Sequence, residues 1–258
     1  AQGGATVQED LTITVTQVND APTLTVSVDG GTATEDGDAV DLYDSVTAAD
    51  GDSVPTQTFK ELKLTVTNVA DTTEYLNVNG LACDLTDSNS ETVDLGGSDL
   101  TCAVAVSGGT ATVTLSHAGL TNAQVQTLVD GITYENTDQS PTAGDRVITI
   151  TDLTDNGGTA NSGTANVAPS GTVATITVAA ANDTPTCDAG DAQGVTEGAV
   201  VTLDATGSAS LDGETVTYLW SVSDGTAQTL SSTTAVGPTF AAANTIAGYT
   251  TTFSMTCT

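Results

Sequence analysis

A six-residue phrase, VNDAPT at Val18–Thr23, most constrains the fold, because a weaker copy, ANDTPT, occurs at Ala181–Thr186. Each copy follows a run in which β-branched residues alternate with other residues, LTITVT at Leu11–Thr16 and VATITV at Val173–Val178. Alternation with a period of two is typical of a half-buried strand. Asn and Asp favour a turn, and proline lacks the N–H that a continuing strand would need. We therefore interpret the two phrases as joints between β-domains.

Acidic residues follow both joints at intervals of 14 or 15 residues. They are Asp20, Glu35 and Asp50 for the first joint, and Asp183, Glu197 and Asp212 for the second. The local contexts also agree, because TEDG corresponds to TEG and DGD corresponds to DGE. The repeated spacing indicates that the two joints are built in the same way.

This pattern resembles the cadherin-like and polycystic-kidney-disease (PKD)-like domains that are arranged in series in very large bacterial surface proteins. The phrases LTVTNV (64–69), SGGTATV (107–113) and LVDGITY (128–134) carry the resemblance in the first part of the chain. Near the other end, Trp220 lies on a predicted central strand, where Ig-like folds bury a tryptophan. The resemblance implies an all-β protein with two Ig-like or cadherin-like β-sandwich domains in tandem.

The joints and the resemblance together divide the chain into three parts. Residues 1–18 are expected to be the last strand of a PKD-like domain of a preceding copy. Residues 19–181 are expected to form a cadherin-like β-sandwich, and residues 182–258 a PKD-like Ig sandwich that lacks its last strand. One short helix is predicted within Leu120–Ile132, where apolar residues change to helical spacing and Thr121 or Asn122 can cap the start.

Calcium is the cofactor that the resemblance implies, because acidic residues from a linker, an early loop and a later loop converge on calcium in cadherin-type joints. Carboxylate and amide oxygens are the ligands that this ion takes. The implied ligands are Asn19, Asp20, Glu35, Asp50 and Asp52 at the first joint, and Asn182, Asp183, Glu197, Asp212 and Glu214 at the second. Asp152, Asp155 and Asn156 are further candidates for the second joint. The alternative is that these residues only form Asx turns and exposed acidic loops.

The charge of the chain restricts its partners. Thirty-three acidic residues against three basic ones give a formal charge of −30, which argues strongly against binding to nucleic acid. An acidic, solvated surface is the alternative explanation of this charge. No nucleophile or oriented base accompanies the single histidine, His117, so no enzyme is predicted. The sequence also has no transmembrane run.

Four cysteines without zinc-type spacing predict two disulfides in an oxidising, extracellular setting. Cys83 and Cys102 lie on candidate neighbouring strands, and we expect them to pair. Cys187 lies at the start of the second domain and Cys257 on its last visible strand, so a bridge between them would join the two ends of that domain.

The strand predicted at residues 7–16 has no partner upstream, and the PKD-like domain needs one more strand after residues 249–257. We therefore expect residues 7–16 to lie against residues 249–257 of an adjacent copy. Two arrangements are consistent with this expectation, a longer tandem polypeptide or separate subunits that donate a strand. Both require head-to-tail contacts, which build an open filament.

Two function classes follow from these observations. The first is a structural or adhesive extracellular repeat that forms a calcium-stiffened filament or stalk on a bacterial surface, with neighbouring copies of itself as partners and a cell-surface or glycan ligand as a further candidate. The alternative is a carbohydrate-binding accessory module of a secreted protein. That alternative would require a row of exposed aromatic side chains, and the chain has nine aromatic residues in total, five Tyr, three Phe and one Trp.

Overall fold

The structure is a computed structural model, and it describes residue 4 and residues 6–52, 57–225, 227–245 and 247–258. The chain forms two compact units. The larger unit comprises Ala1–Ala33, Asp38–Asn136 and Gly144–Thr177. The smaller unit comprises Thr34–Gly37, Thr137–Ala143 and Val178–Thr258.

The regular secondary structure of both units is almost entirely β, as the sequence predicts. The strands, in chain order, are β1 (Thr23–Val28), β2 (Gly30–Thr34), β3 (Val40–Asp41), β4 (Tyr43–Ala49), β5 (Phe59–Thr67), β6 (Glu74–Val78), β7 (Leu81–Asp84), β8 (Ser90–Asp94), β9 (Asp99–Ser107), β10 (Thr110–Leu120), β11 (Thr133–Asn136), β12 (Gly144–Asp155), β13 (Asn166–Val167), β14 (Val173–Ala179), β15 (Val200–Thr202), β16 (Tyr218–Gly225), β17 (Thr239–Ala241) and β18 (Thr251–Cys257). One α-helix, α1 (Asn122–Asp130), lies between β10 and β11, and a 3-10 turn (Ala160–Ser162) lies between β12 and β13.

Three sheets contain the strands from β1 to β14. An eight-stranded sheet has the order β2-β14-β12-β5-β10-β9-β8, with β13 paired to β12. A four-stranded sheet has the order β3-β11-β6-β7, and β1 pairs with β4. Strand β5 shows why these residues form strands, because Leu62, Leu64 and Val66 are buried while the residues between them are half-buried. Successive side chains of a strand point to opposite faces, so this alternation places one face of the sheet in the core.

A disulfide and a buried ion pair connect the eight-stranded sheet to the four-stranded sheet. Cys83 on β7 is bonded to Cys102 on β9, which confirms the first predicted pairing. Arg146 on β12 donates from Nε and Nη2 to the two carboxylate oxygens of Glu74 on β6, each at 2.9 Å. The Tyr134 hydroxyl donates to the same carboxylate at 2.8 Å. Burial and the negative charge of Glu74 raise the pKa of Tyr134 above its ordinary value, so the phenol stays protonated and remains a donor.

Helix α1 begins and ends close to where the sequence predicts. Thr121 is its N-cap and forms a capping box, because its side chain accepts from the Gln124 N–H while the Gln124 side chain accepts from the Thr121 N–H. Val125, Leu128 and Val129 are buried, as their helical spacing predicts. The helix therefore packs one apolar stripe against the core of the larger unit.

Replacing Thr121 with alanine is expected to lower the free energy of unfolding of the larger unit by about 1 kcal/mol, because the cap loses the side-chain acceptor for a helix N–H. Urea unfolding monitored by circular dichroism measures the change. Thr121→Ser retains the hydroxyl and is the control. Equal stability of the alanine and serine variants would show that the cap does not contribute.

The smaller unit has two short strand pairs, β15 with β17 and β16 with β18. Its core consists of Val201, Leu203, Ala205, Trp220 and Phe240. Trp220 lies on β16, as predicted, and its Nε1–H donates to the Ala235 carbonyl at 3.0 Å. Cys187 is bonded to Cys257, which confirms the second predicted pairing. This bridge ties the start of the unit to its last strand, which stabilises a unit with a small core.

Residues 6–18 differ from a regular strand. They join no strand ladder of the described chain, although their sequence alternates as a strand does. Val7, Leu11, Ile13 and Val15 are between 75% and 87% exposed. The predicted strand is therefore an exposed, unpaired segment in the single chain.

Candidate metal centres

The first joint lies beside the turn at residues 50–52, because β1 and β4 are paired. Strand β1 begins directly after the joint, and its first residue, Thr23, lies opposite Ala49 at the end of β4. The chain therefore returns to the joint at Asp50. Here the Asp20 N–H donates to Asp52 Oδ2 at 2.9 Å, and the Asp52 N–H donates to Asp50 Oδ1 at 2.8 Å.

Asn19 is the buried centre of this region. Its Nδ2 donates to the Thr164 carbonyl at 2.6 Å and lies 3.2 Å from Asp155 Oδ2. The backbone carbonyl of Asn19 accepts from the Thr164 N–H at 2.8 Å. Because the amide nitrogen is held by these acceptors, Asn19 Oδ1 points the other way. Asp155 is fully buried, and one of its oxygens also accepts from the Gly157 N–H at 2.8 Å.

Three buried oxygens in this region accept no hydrogen bond from any described residue. They are Asn19 Oδ1, Gln57 Oε1 and Asp50 Oδ2. Asn19 and Gln57 are 8% and 9% exposed. A Cβ on Gly157 would collide with both amide oxygens, so these two oxygens converge on the space that the glycine leaves. Buried acceptors without a partner are unfavourable by about 1–3 kcal/mol each, which is why they mark a place for a ligand. We call Asn19, Asp50, Asp52, Gln57 and Asp155 the first cluster.

The electrostatics of the first cluster favour a cation. Burial raises the pKa of Asp50, and the negative charges of Asp155, Asp52 and Asp20 raise it further. A carboxyl whose pKa is raised in the folded state contributes stability below its unfolded pKa and loses it as the pH rises through the folded pKa. At neutral pH the ionised Asp50 therefore works against folding in the ion-free protein. A bound cation would reverse this effect.

Glu35, Asp183 and Asp212 form the second cluster, in which carboxylate oxygens from the three residues lie within 4.8 Å of one another. The Asp183 N–H donates to Asp212 Oδ2 at 2.7 Å, and the Ala181 N–H donates to Glu35 Oε2 at 2.8 Å. The opposite oxygens, Glu35 Oε1, Asp183 Oδ2 and Asp212 Oδ1, are buried and have no hydrogen-bond partner among the described residues. Glu35 is 6% exposed. The carboxylates of Glu35 and Asp212 thus each accept from a backbone N–H with one oxygen, and the other oxygen has no partner among the described residues.

Each joint contains a hydrogen bond of the same kind. The amide of the joint aspartate donates to a carboxylate of the following acidic turn, from Asp20 to Asp52 in one case and from Asp183 to Asp212 in the other. The sequence pattern aligned Asp50, not Asp52, with Asp212. The structure shows that Asp52 occupies the equivalent position.

The structure places two predicted ligands at the other joint. The sequence grouped Glu35 with the first joint, but the structure places it with the second, because β2 lies beside β14 and the Glu35 N–H donates to the Ala179 carbonyl at 3.1 Å. Asp155, a candidate for the second joint, lies instead at the first, where β12 ends opposite Phe59 of β5.

The other predicted ligands lie outside the two groups of unpartnered oxygens. Asn182, Glu197 and Glu214 are exposed, and the Asn182 Nδ2 donates to the adjacent Asp183 carbonyl. Asp152 accepts from the Asn166 side chain, and Asn156 Oδ1 accepts from the Thr58 N–H. Gln57 was not predicted, because a neutral residue outside any acidic turn gives no sequence signal.

The chain has few cations of its own to neutralise these clusters. Of its three basic residues, Arg146 is buried against Glu74, and Lys63 lies 2.7 Å from the Glu61 carboxylate. His117 is held by the backbone, because Nδ1 accepts from the Gly119 N–H and Nε2 contacts the Leu95 carbonyl, both at 3.0 Å. This histidine thus has a structural role.

Comparison with known families identifies part of the smaller unit. Residues 182–252 match the family model of the PKD domain. The PKD-like region includes Asp183 and Asp212 of the second cluster and Trp220 of the core. PKD domains are typically non-catalytic modules of extracellular proteins, and the two disulfides are typical of the same environment. No curated protein matches the chain. Within the described residues, no helix has the length and apolar character that crossing a membrane requires.

Proposed function

We propose that the chain is an extracellular structural or adhesive module in which the first and second clusters bind calcium and thereby stiffen the joints. The observation that carries the proposal is the set of unpartnered, buried oxygens beside both joints. Carboxylate and amide oxygens without nitrogen or sulfur ligands are the donor set that calcium prefers over zinc. The first cluster would supply Asn19, Asp50 and Gln57, and the second would supply Glu35, Asp183 and Asp212.

We further propose that copies are arranged head to tail as the body of a surface filament or stalk. The repeated joint supports this, since in both Asn-Asp phrases the N–H of the aspartate donates to a carboxylate of the acidic turn that follows. A calcium ion at each joint would fix the exit direction of the chain. The large negative charge would otherwise favour extension and repulsion between clustered carboxylates.

Calcium is expected to stabilise the protein by about 1–3 kcal/mol per site at ~10 mM, given the weak affinity typical of extracellular modules. Asp50→Asn tests the first cluster, because the variant retains the Oδ1 that accepts from the Asp52 N–H but removes the charge. In chelator, the melting temperature of this variant is expected to equal or exceed that of the parent protein, since burial and the nearby carboxylates of Asp155, Asp52 and Asp20 disfavour the ionised form of Asp50 and raise its pKa. In calcium, the increase in melting temperature is expected to be smaller than in the parent.

The matched control is Glu91→Gln, which removes one exposed carboxylate on β8. It is expected to leave the calcium-induced increase unchanged. Calorimetric titration with calcium measures the same difference directly. Identical calcium responses of the parent protein, Asp50→Asn and Glu91→Gln would contradict a site at the first cluster.

The carbohydrate-binding alternative is less well supported. Such modules stack sugar rings on exposed aromatic side chains. Every tyrosine, phenylalanine and tryptophan of this chain is buried or half-buried, and all nine lie among the described residues.

A further inference from the structure

A large groove with both polar and apolar lining residues lies in the smaller unit. Its volume is about 690 Å³, and its floor contains Val201, Leu203, Trp220 and Phe240, which belong to the core of the unit. One wall is the segment 189–197, which belongs to no strand, and the other is the segment 249–253, which includes the start of β18. The four side chains of the floor are at most 9% exposed, so the groove adjoins a core that is otherwise covered.

One wall of the groove includes a strand that has a single strand neighbour among the described residues. Among the described residues, β18 forms a ladder with β16 and with no other strand. Its odd-numbered side chains, including Phe253 and Met255, face the core and its even-numbered ones are exposed. A strand placed along the other edge of β18 would continue the sheet, with alternate side chains entering the groove.

The segment 6–18 has the pattern that such a strand needs. Val7, Leu11, Ile13 and Val15 share one face of the extended chain and are exposed, while Thr12, Thr14 and Thr16 share the other face. Exposed alternating apolar side chains on an unpaired segment are a template for pairing with another chain.

Strand β14 precedes the second joint in the same register in which the segment 6–18 precedes the first. Ala174, Ile176 and Val178 of β14 lie eight, six and four residues before Asn182, and all three are buried within the eight-stranded sheet. Leu11, Ile13 and Val15 lie eight, six and four residues before Asn19. The same register before the same joint phrase thus carries buried side chains in one case and exposed ones in the other.

We propose that the groove binds residues 7–16 of a second copy of the chain as an added strand along β18, with Leu11, Ile13 and Val15 in the groove. This names the contact that joins copies in the proposed head-to-tail series, and it does not require calcium. We expect the added strand to be antiparallel, as are the two strand pairs of this unit. A complete apolar strand fits an open strand edge better than a compact ligand does, because it also pairs with the backbone of β18.

The full chain carrying Leu11→Asp and Ile13→Asp is the acceptor for the test, because its own segment can no longer occupy a groove. The probe is a synthetic peptide of residues 6–18. Trp220 is the only tryptophan and lines the groove, so its fluorescence reports binding. We expect saturable binding of the parent peptide, at least about 100-fold weaker binding of the peptide with Ile13→Asp, and little change with Thr14→Asp, which adds the same charge to the opposite face. The result should be the same in calcium and in chelator.

Sedimentation of the full chain provides the second measurement. The parent chain and Thr14→Asp are expected to form concentration-dependent oligomers, and Ile13→Asp is expected to remain a folded monomer. Three results would overturn the proposal. The first is equal binding of the two substituted peptides, and the second is a parent chain that stays monomeric at every concentration although Ile13→Asp changes its Trp220 fluorescence. The third is a small molecule that co-purifies with the chain in native mass spectrometry. Calcium binding by the monomeric variant is measured separately, so failure of strand binding leaves the calcium proposal intact.

Discussion

Replacing Arg146 with methionine is expected to lower the free energy of unfolding of the larger unit by about 3–5 kcal/mol. Arg146 is 2% exposed, and it donates two hydrogen bonds to the fully buried Glu74. Removing the guanidinium leaves a buried carboxylate whose negative charge is no longer balanced by Arg146. The carboxylate would retain the Tyr134 hydroxyl and the N–H groups of Ala70 and Asp71, but these groups are neutral.

Urea unfolding of Arg146→Met and of Lys60→Met distinguishes two effects on stability. One is the unbalanced buried charge of Glu74, and the other is the loss of one positive charge from the chain. Lys60 is exposed on β5, so its replacement is expected to change stability by no more than about 0.5 kcal/mol. Adding Glu74→Gln to Arg146→Met should recover most of the lost stability, because glutamine keeps an acceptor and removes the charge. Similar losses for Arg146→Met and Lys60→Met would show that the ion pair contributes little.

Removing the Cys187–Cys257 disulfide by Cys187→Ala and Cys257→Ala is expected to cost about 4 kcal/mol in the chain-entropy account, because the bridge spans 70 residues. The effect should be large relative to the stability of the smaller unit, whose core has five buried apolar residues and an open groove. Trp220 fluorescence measures it, since the tryptophan lies in that core. We expect the unit to unfold at much lower temperature, or to be unfolded at 37 °C.

The other disulfide provides the matched control. The Cys83–Cys102 bridge closes a loop of 19 residues in the larger unit, and its removal is expected to cost about 3 kcal/mol there. The Trp220 transition should not change in that variant. A shift of the Trp220 transition of equal size in both variants would contradict the assignment of one disulfide to each unit.

Sequence patterns predicted the elements whose structure is locally determined. The alternating run at Val173–Val178 predicted β14, which spans Val173–Ala179, and α1 was predicted from apolar spacing and a capping threonine. Strands β2 and β4 lack a regular alternation, because β2 begins with two glycines and β4 contains Ser45 at a φ of 50°. Apolar residues that recur every two residues predict a strand, and those that recur every three or four predict a helix, only where no irregularity interrupts the repeat.

Which of the predicted ligands lie at the same joint depends on strand pairing, and the sequence does not specify that pairing. Equal spacing suggested that Glu35 belongs with Asp20 and Asp50. The pairing of β1 with β4 brings Asp50 back to the first joint, whereas the pairing of β2 with β14 places Glu35 near the second joint. A count of residues between acids cannot distinguish these two outcomes, because Glu35 lies 15 residues from both Asp20 and Asp50 whichever strands pair. The predicted disulfides were simpler, since each joined two cysteines of one predicted domain.

Gly157 has an evolutionary consequence. Asn19 and Gln57 direct their unpartnered oxygens at the space beside its Cα, and any side chain there would occupy that space. On the calcium proposal, one substitution at this position would therefore abolish an ion site without altering any ligand. In the proposed head-to-tail series, each copy has its own residue at this position. Single mutations could then make some joints of the proposed stalk flexible and leave others rigid, with the β-sandwich architecture unchanged.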